Sequence, residues 1–133
     1  MRMLALAAAV LAVAPAAAAP VPVTGRWWTE NRRAIVEIAP CGAAVCGRIT
    51  RVQAGSERAT DTKNPDQALR NRPIQGLTIL SGFTASGDAW HGRIYDPQSG
   101  RSYRSELRRE GGTLKVKGCL GPFCRTQSWS QAR

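Results

Sequence analysis

Trp90-His-Gly-Arg-Ile-Tyr-Asp-Pro-Gln-Ser-Gly-Arg-Ser-Tyr-Arg-Ser-Glu-Leu-Arg108 decides the fold. Its second half alternates: Tyr103, Ser105 and Leu107 on one side, Ser102, Arg104, Glu106 and Arg108 on the other. A period of two with one apolar side is the pattern of a strand with one buried and one wet face. The first half alternates Trp90, Gly92 and Ile94 against His91 and Arg93. Between them, Asp96-Pro-Gln-Ser-Gly100 supplies a residue of fixed φ and a Gly, which marks a turn. The stretch reads as a β-hairpin. Its arginines are thereby explained as a solvated strand face.

The same grammar extends both ways. Strands are expected over Thr24–Thr29, Ala34–Ala39, Val45–Val52, Gly76–Phe83, Ala89–Tyr95, Ser102–Arg108, Thr113–Lys117 and Phe123–Trp129. Asn31-Arg32, Pro40-Cys-Gly42, Ser86-Gly-Asp88 and Glu110-Gly-Gly112 separate them as turns. Eight short antiparallel strands close naturally into an up-and-down barrel, because closure removes the unpaired edges. In the third strand neither face is clearly the inner one.

One connection is long, between the third and fourth strands. Within it, Asn64-Pro-Asp66 reads as an N-cap, a proline at the first helical position and an acid in the first turn. A short helix from Pro65 to Leu69 or Arg70 is expected. It must stop before Arg72, which precedes Pro73. Asp61 and Asp66, close in sequence to Arg70 and Arg72, are expected to tie this segment to the barrel rim by capping and ion pairs.

The chain opens with a charged Met1-Arg-Met3, an apolar run from Leu4 to Val13 and an Ala/Pro-rich stretch to Pro20. This is the layout of a secretory signal, and the run is too short to span a bilayer as a helix. Cleavage is expected after Ala18, leaving one domain over 19–133 in the periplasm or outside the cell. The 133-residue chain carries 19 Lys and Arg against 9 Asp and Glu, a net charge of +10. Such a surface suits anionic lipid or wall polymer. Nucleic acid is not an expected partner, for there is no helix-turn-helix pattern and no interleaved aromatic platform.

Cys41, Cys46, Cys119 and Cys124 form two similarly spaced pairs. Three disulfide connectivities exist. Local pairing is expected because each segment has the Gly content of a tight turn. A four-thiolate zinc site is compatible with the spacing, but an oxidising compartment argues for disulfides. Loops this short stabilise by only about 2 kcal/mol each.

Several motifs occur together: Gly25-x-Trp27, Cys46-Gly-Arg-Ile49, Asp61-x-x-Asn-Pro-Asp-x-x-Leu-Arg-x-Arg-Pro-x-x-Gly-Leu77, Trp90-x-Gly-x-Ile-Tyr-Asp-Pro97 with Gly100 and Tyr103, and Arg125-Thr-Gln-x-Trp129. With these the chain resembles the bacterial family catalogued as domain of unknown function 2147, over essentially all of 19–133. The resemblance implies an exported protein with a lipocalin-like barrel and no established activity. Gly-x-Trp also resembles the opening motif of lipocalins, in which the Trp sits at the closed end under an Arg from the last strand. That likeness gives Arg125 a structural role as a cation over Trp27.

No motif fixes a reaction. His91 is the only histidine, and no nucleophile elbow or metal-binding helix accompanies it. No catalytic residue, metal or cofactor is assigned. The leading expectation is a small amphipathic or hydrophobic ligand held in the barrel. Trp27, Trp28, Phe83, Trp90, Tyr95 and Tyr103 are the candidate lining, with Arg70 and Arg72 meeting a carboxylate or phosphate head group. The alternatives are an envelope-binding protein that uses its basic surface, and an enzyme centred on Asp61, Asp66 or His91.

Overall fold

The alternation at 102–108 extends in three dimensions over a ten-residue strand, Arg101–Glu110. A computed structural model describes residues 3–13 and 19–133. The strands are β1 (Gly25–Trp28), β2 (Ala34–Cys41), β3 (Ala44–Val52), β4 (Thr78–Ser86), β5 (Ala89–Asp96), β6 (Arg101–Glu110), β7 (Thr113–Leu120) and β8 (Phe123–Gln131). Each pairs antiparallel with the next, and β1 pairs with β8 to close an eight-stranded barrel. Residues 3–13 are exposed and belong to no helix or strand, and the expected cut after Ala18 lies outside the described residues.

Directly opposed residues share a face. The register therefore sorts the wall: Trp90 faces Leu107, Gly92 faces Ser105 and Ile94 faces Tyr103 on the inside. Val45, Gly47 and Ile49 form the buried face of β3. Three pairings slip, β2–β3, β3–β4 and β4–β5. Beside one slip, consecutive residues Ile79 and Leu80 are both buried, and at another so are Ile35 and Val36. An extra residue in one strand breaks the two-residue period and bends the wall.

One end of the barrel is solid. Val23, Trp27, Val36, Ile38, Leu80, Phe83, Leu107, Leu114 and Trp129 are all at most 2% exposed there. Trp27 donates its indole N–H to the Val23 carbonyl at 3.0 Å. Two glycines make room for this core. A Cβ at Gly92 would lie 2.7 Å from the Phe83 ring, and one at Gly47 2.7 Å from Leu80.

The connection from β3 to β4 crosses the other end. Its arms pair through a bridge between Thr60 and Pro73, with Asp61 N donating to Arg72 O and Ile74 N to Ala59 O, both at 3.0 Å. The helix expected from Pro65 is not there. A single 3-10 turn, Gln67–Leu69, takes its place, capped by Asp66 rather than Asn64. The cause is local. Asn64 spends its side-chain oxygen on the Asp66 N–H at 2.8 Å and its amide N–H on Asp61. The bonds that follow, Leu69 N to Asp66 O and Arg70 N to Gln67 O, have three-residue spacing. Pro73 leaves no room to widen the turn into an α-helix.

Both disulfides are local, Cys41–Cys46 and Cys119–Cys124, with Cα separations of 5.8 and 4.1 Å. The first clamps the β2–β3 hairpin and the second the β7–β8 hairpin. With all four thiols consumed, the zinc alternative is excluded.

Candidate functional site

Opposite the solid end the barrel is hollow. A pocket of about 1010 Å³ opens there, ringed by the β1–β2, β5–β6 and β7–β8 turns and the long β3–β4 connection. Ile49, Ile79, Ile94, Tyr103, Val116, Gly118, Gln127 and Trp129 line its wall. Polar groups sit around the mouth: Glu30, Asn31 and Arg33 on one turn, Asp96 and Gln98 on another, Arg125 on β8. Leu120 and Phe123 also border the mouth and are 54% and 80% exposed. An apolar wall under a polar rim is a build that suits a small-molecule site.

On β8 the inward row is Phe123, Arg125, Gln127 and Trp129, set opposite Leu120, Gly118, Val116 and Leu114 of β7. Arg125 is exposed at the mouth, Gln127 is half-buried, and Trp129 is 2% exposed at the floor. Next below Tyr103 on the inner face of β6 comes Ser105, whose buried hydroxyl has no hydrogen-bond partner among the described residues.

Beside the pocket, a second cluster holds the long connection to the wall. Asp61 is fully buried, and three donors converge on it. The Tyr95 hydroxyl lies 2.6 Å from Oδ1, and Asn64 Nδ2 and Arg72 Nε lie 2.9 Å from Oδ2. Burial alone would raise the Asp61 pKa. The hydrogen bonds from Tyr95, Asn64 and Arg72 outweigh it and hold the carboxyl below its ordinary value. Burial and the Asp61 carboxylate together push the Tyr95 phenol up. The Arg72 guanidinium also lies 5.6 Å from the Tyr95 ring centroid.

The candidate lining divides sharply. Tyr103 lines the pocket, whereas Trp27 and Phe83 are core at the solid end. Trp90 is half-buried and donates its indole N–H to the Val21 carbonyl. Trp28 shares its face with Ile35, on the side of the wall away from Trp27, and lies under the Arg32 guanidinium at 4.8 Å. Tyr95 borders the pocket, but its register puts it on the opposite face of β5 from Ile94, and its hydroxyl belongs to Asp61. Arg70 and Arg72 are absent from the lining. Arg72 is paired with Asp61, and Arg70 donates to the Asn64 carbonyl.

The cation over Trp27 is Arg109 of β6, 5.1 Å from the ring centroid, not Arg125. A signal for this existed in the sequence. Arg109 continues the inward row Tyr103, Ser105, Leu107, and Arg125 continues the row that ends in Trp129. Both Asp61 oxygens are committed, Asp66 caps a turn, and His91 is exposed on the outer wall opposite Glu106.

A barrel of eight antiparallel strands, solid at the end that holds the Gly-x-Trp tryptophan and hollow at the other, is a lipocalin-like barrel. Its fold matches the solved structure of HP1028 from Helicobacter pylori, described as a member of the lipocalin family. The TM-score is 0.75, with 21% identity over 85% of this chain and 84% of that one. The chain belongs to the bacterial family DUF2147, described as an uncharacterized protein conserved in bacteria, whose model matches residues 25–131. No curated protein sequence matches the chain. Among the described residues no helix is long and apolar enough to cross a membrane.

Proposed function

We propose that the protein is an exported binding protein that holds a small amphipathic molecule in the open end of its barrel. The observation that carries this reading is the pocket of about 1010 Å³, apolar along its wall and polar at its rim. Two local disulfides suit an oxidising compartment, and the opening residues have the layout of a cleaved signal. N-terminal mass measurement on secreted material tests the cut after Ala18.

Gly118 provides the functional test. It lines the pocket, and a Cβ built there would lie 3.8 Å from Ile94 and Tyr103, an ordinary contact. Gly118→Leu therefore fills the pocket without a backbone clash. The neutral probe N-phenyl-1-naphthylamine is expected to bind the wild type saturably at one site and to lose that binding in Gly118→Leu, with the unfolding midpoint nearly unchanged. Equal probe binding by the two proteins would place the probe elsewhere and remove the basis of the proposal.

A second reading has its own observation. Leu120 and Phe123 are exposed at the tip of the β7–β8 hairpin, near Arg104 and Arg125. An apolar tip among cations suits docking of the mouth on an anionic lipid surface. Co-sedimentation with anionic vesicles that is lost in Phe123→Ser and at high salt is the expected result. Binding indifferent to both changes rules it out.

A further inference from the structure

We propose that the ligand is an anionic amphiphile, a carboxylate or phosphate monoester on an apolar tail, and that Arg125 anchors its head group at the mouth. The inference rests on the pocket reading above and adds to it the charge and the orientation of the ligand.

The inward row of β8 grades from a cation through an amide to an indole: Arg125 exposed, Gln127 half-buried, Trp129 buried. That gradient runs from mouth to floor, as the polarity of a head-out amphiphile does. Across from Arg125 on β7 stands Gly118, which puts no side chain into the pocket beside it. Deeper in, Ile94, Val116 and Trp129 offer only apolar contact to a tail.

Among the described residues no rim acid is paired with this cation, and Glu30 and Asp96 share the mouth with two cations, Arg33 and Arg125. The Asp96 oxygens accept from the Gln98 N–H and the Ser99 hydroxyl within their own turn. Glu30 stands on the β1–β2 turn with Arg33. Among the described residues no ion pair involves Arg125 or Arg33. A guanidinium presents several N–H donors in a plane that matches a carboxylate or phosphate. Arg70 and Arg72 cannot take this part, being bound to the Asn64 carbonyl and to Asp61.

The test is displacement of N-phenyl-1-naphthylamine by dodecanoate, dodecyl phosphate, dodecanol and dodecyltrimethylammonium, all below micelle-forming concentrations. In the wild type the better of the two anions is expected to bind about tenfold more tightly than dodecanol, the scale of a charge-assisted hydrogen bond at a partly wet site. Whichever anion is preferred identifies the head group. Arg125→Gln is expected to erase that preference, measured as the ratio of anion to dodecanol affinity within each protein, and high salt is expected to weaken only the anion. Equal displacement by dodecanol and both anions in the wild type overturns the inference and leaves the pocket reading standing. A preference that survives in Arg125→Gln overturns the assignment to Arg125. Absence of any saturable probe binding defeats the pocket reading, and this inference with it.

Discussion

Asp61→Asn removes the centre of the cluster that straps the long connection to β5. Asparagine keeps one carbonyl oxygen and puts an N–H2 where the other carboxylate oxygen stood. Tyr95 donates to one oxygen, and Asn64 and Arg72 share the other. With its N–H2 toward Tyr95 the amide donates to the phenol oxygen and its carbonyl still accepts from Asn64 and Arg72, but every bond loses the carboxylate's charge and Arg72 loses its counter-charge. A hydrogen bond to a charged group is worth about 1.5–3 kcal/mol and a neutral one about 0.5–1.5 kcal/mol, so each of the bonds weakens by about 1 kcal/mol. Arg72 is 36% exposed, so water takes back part of its loss. The expected destabilisation is about 2–4 kcal/mol, a fall in Tm of roughly 8–16 °C for a domain of this size. Urea unfolding followed by tryptophan fluorescence, with disulfides intact, measures it. The effect also has a pH signature. Asp61 titrates below its ordinary 3.8 in the folded state, so its stabilisation is complete above that value. It is lost as pH falls through the lower folded value. The gap between wild type and Asp61→Asn should therefore be flat near neutrality and narrow below about pH 4. A gap under about 0.5 kcal/mol at pH 7, or one that widens in acid, would refute the reasoning.

At the solid end, Gly92→Ala drives a methyl to 2.6 Å from the Ser81 carbonyl and 2.7 Å from the Phe83 ring. It should destabilise by about 2–3 kcal/mol in the same urea assay, and an unchanged midpoint would contradict the packing. Ser105→Ala removes a buried hydroxyl that has no partner among the described residues and should raise stability by up to about 1 kcal/mol; a loss of stability would contradict this. Arg109→Met keeps the chain's apolar stem but removes the charge over Trp27. A decrease of about 0.5–1 kcal/mol is expected, coupled to Trp27→Phe in a double-mutant cycle, whereas Arg125→Met should show no such coupling. Tyr95 titrates above its ordinary 10.0, so wild-type stability should fall as pH rises past 10. Tyr95→Phe should remove that alkaline loss.

The hairpins were legible because Tyr103, Ser105 and Leu107 alternate cleanly and Asp96-Pro-Gln-Ser-Gly100 has the chemistry of a turn. Closure into a barrel followed because it removes the unpaired edges of eight short antiparallel strands. The slips beside Ile35 and Ile79 were not legible, because an extra residue declares itself only against its partner strand. The 3-10 turn was missed for a related reason. Asn-Pro-Asp is a sound helix start in isolation, but Asn64 is claimed by Asp61, a contact that exists only once the loop has folded. Aromatic content misplaced the pocket: Trp27 and Phe83 go to the solid end, and the wall of the hollow end takes Ile49, Ile79, Ile94 and Val116 beside Tyr103 and Trp129. Arg125 is the instructive case. Its place in an inward row with Trp129 could be read from spacing, yet a structural role over Trp27 displaced that reading.

The first and last strands of the barrel meet at the solid end. β1 pairs with β8 through Trp27 and Trp28, Ala132 N donates to the Arg26 carbonyl at 2.8 Å, and Trp90 holds the backbone of Val21. Val21 and Ala132 both sit at the face opposite the mouth. A carrier fused there, or a bead to which the N-terminus is coupled, leaves the opening pointing into solution. Immobilised in that orientation, the protein keeps unobstructed traffic through its rim, and joining the two ends to open the chain at a mouth turn gives a permuted barrel in which the rim itself carries the new termini.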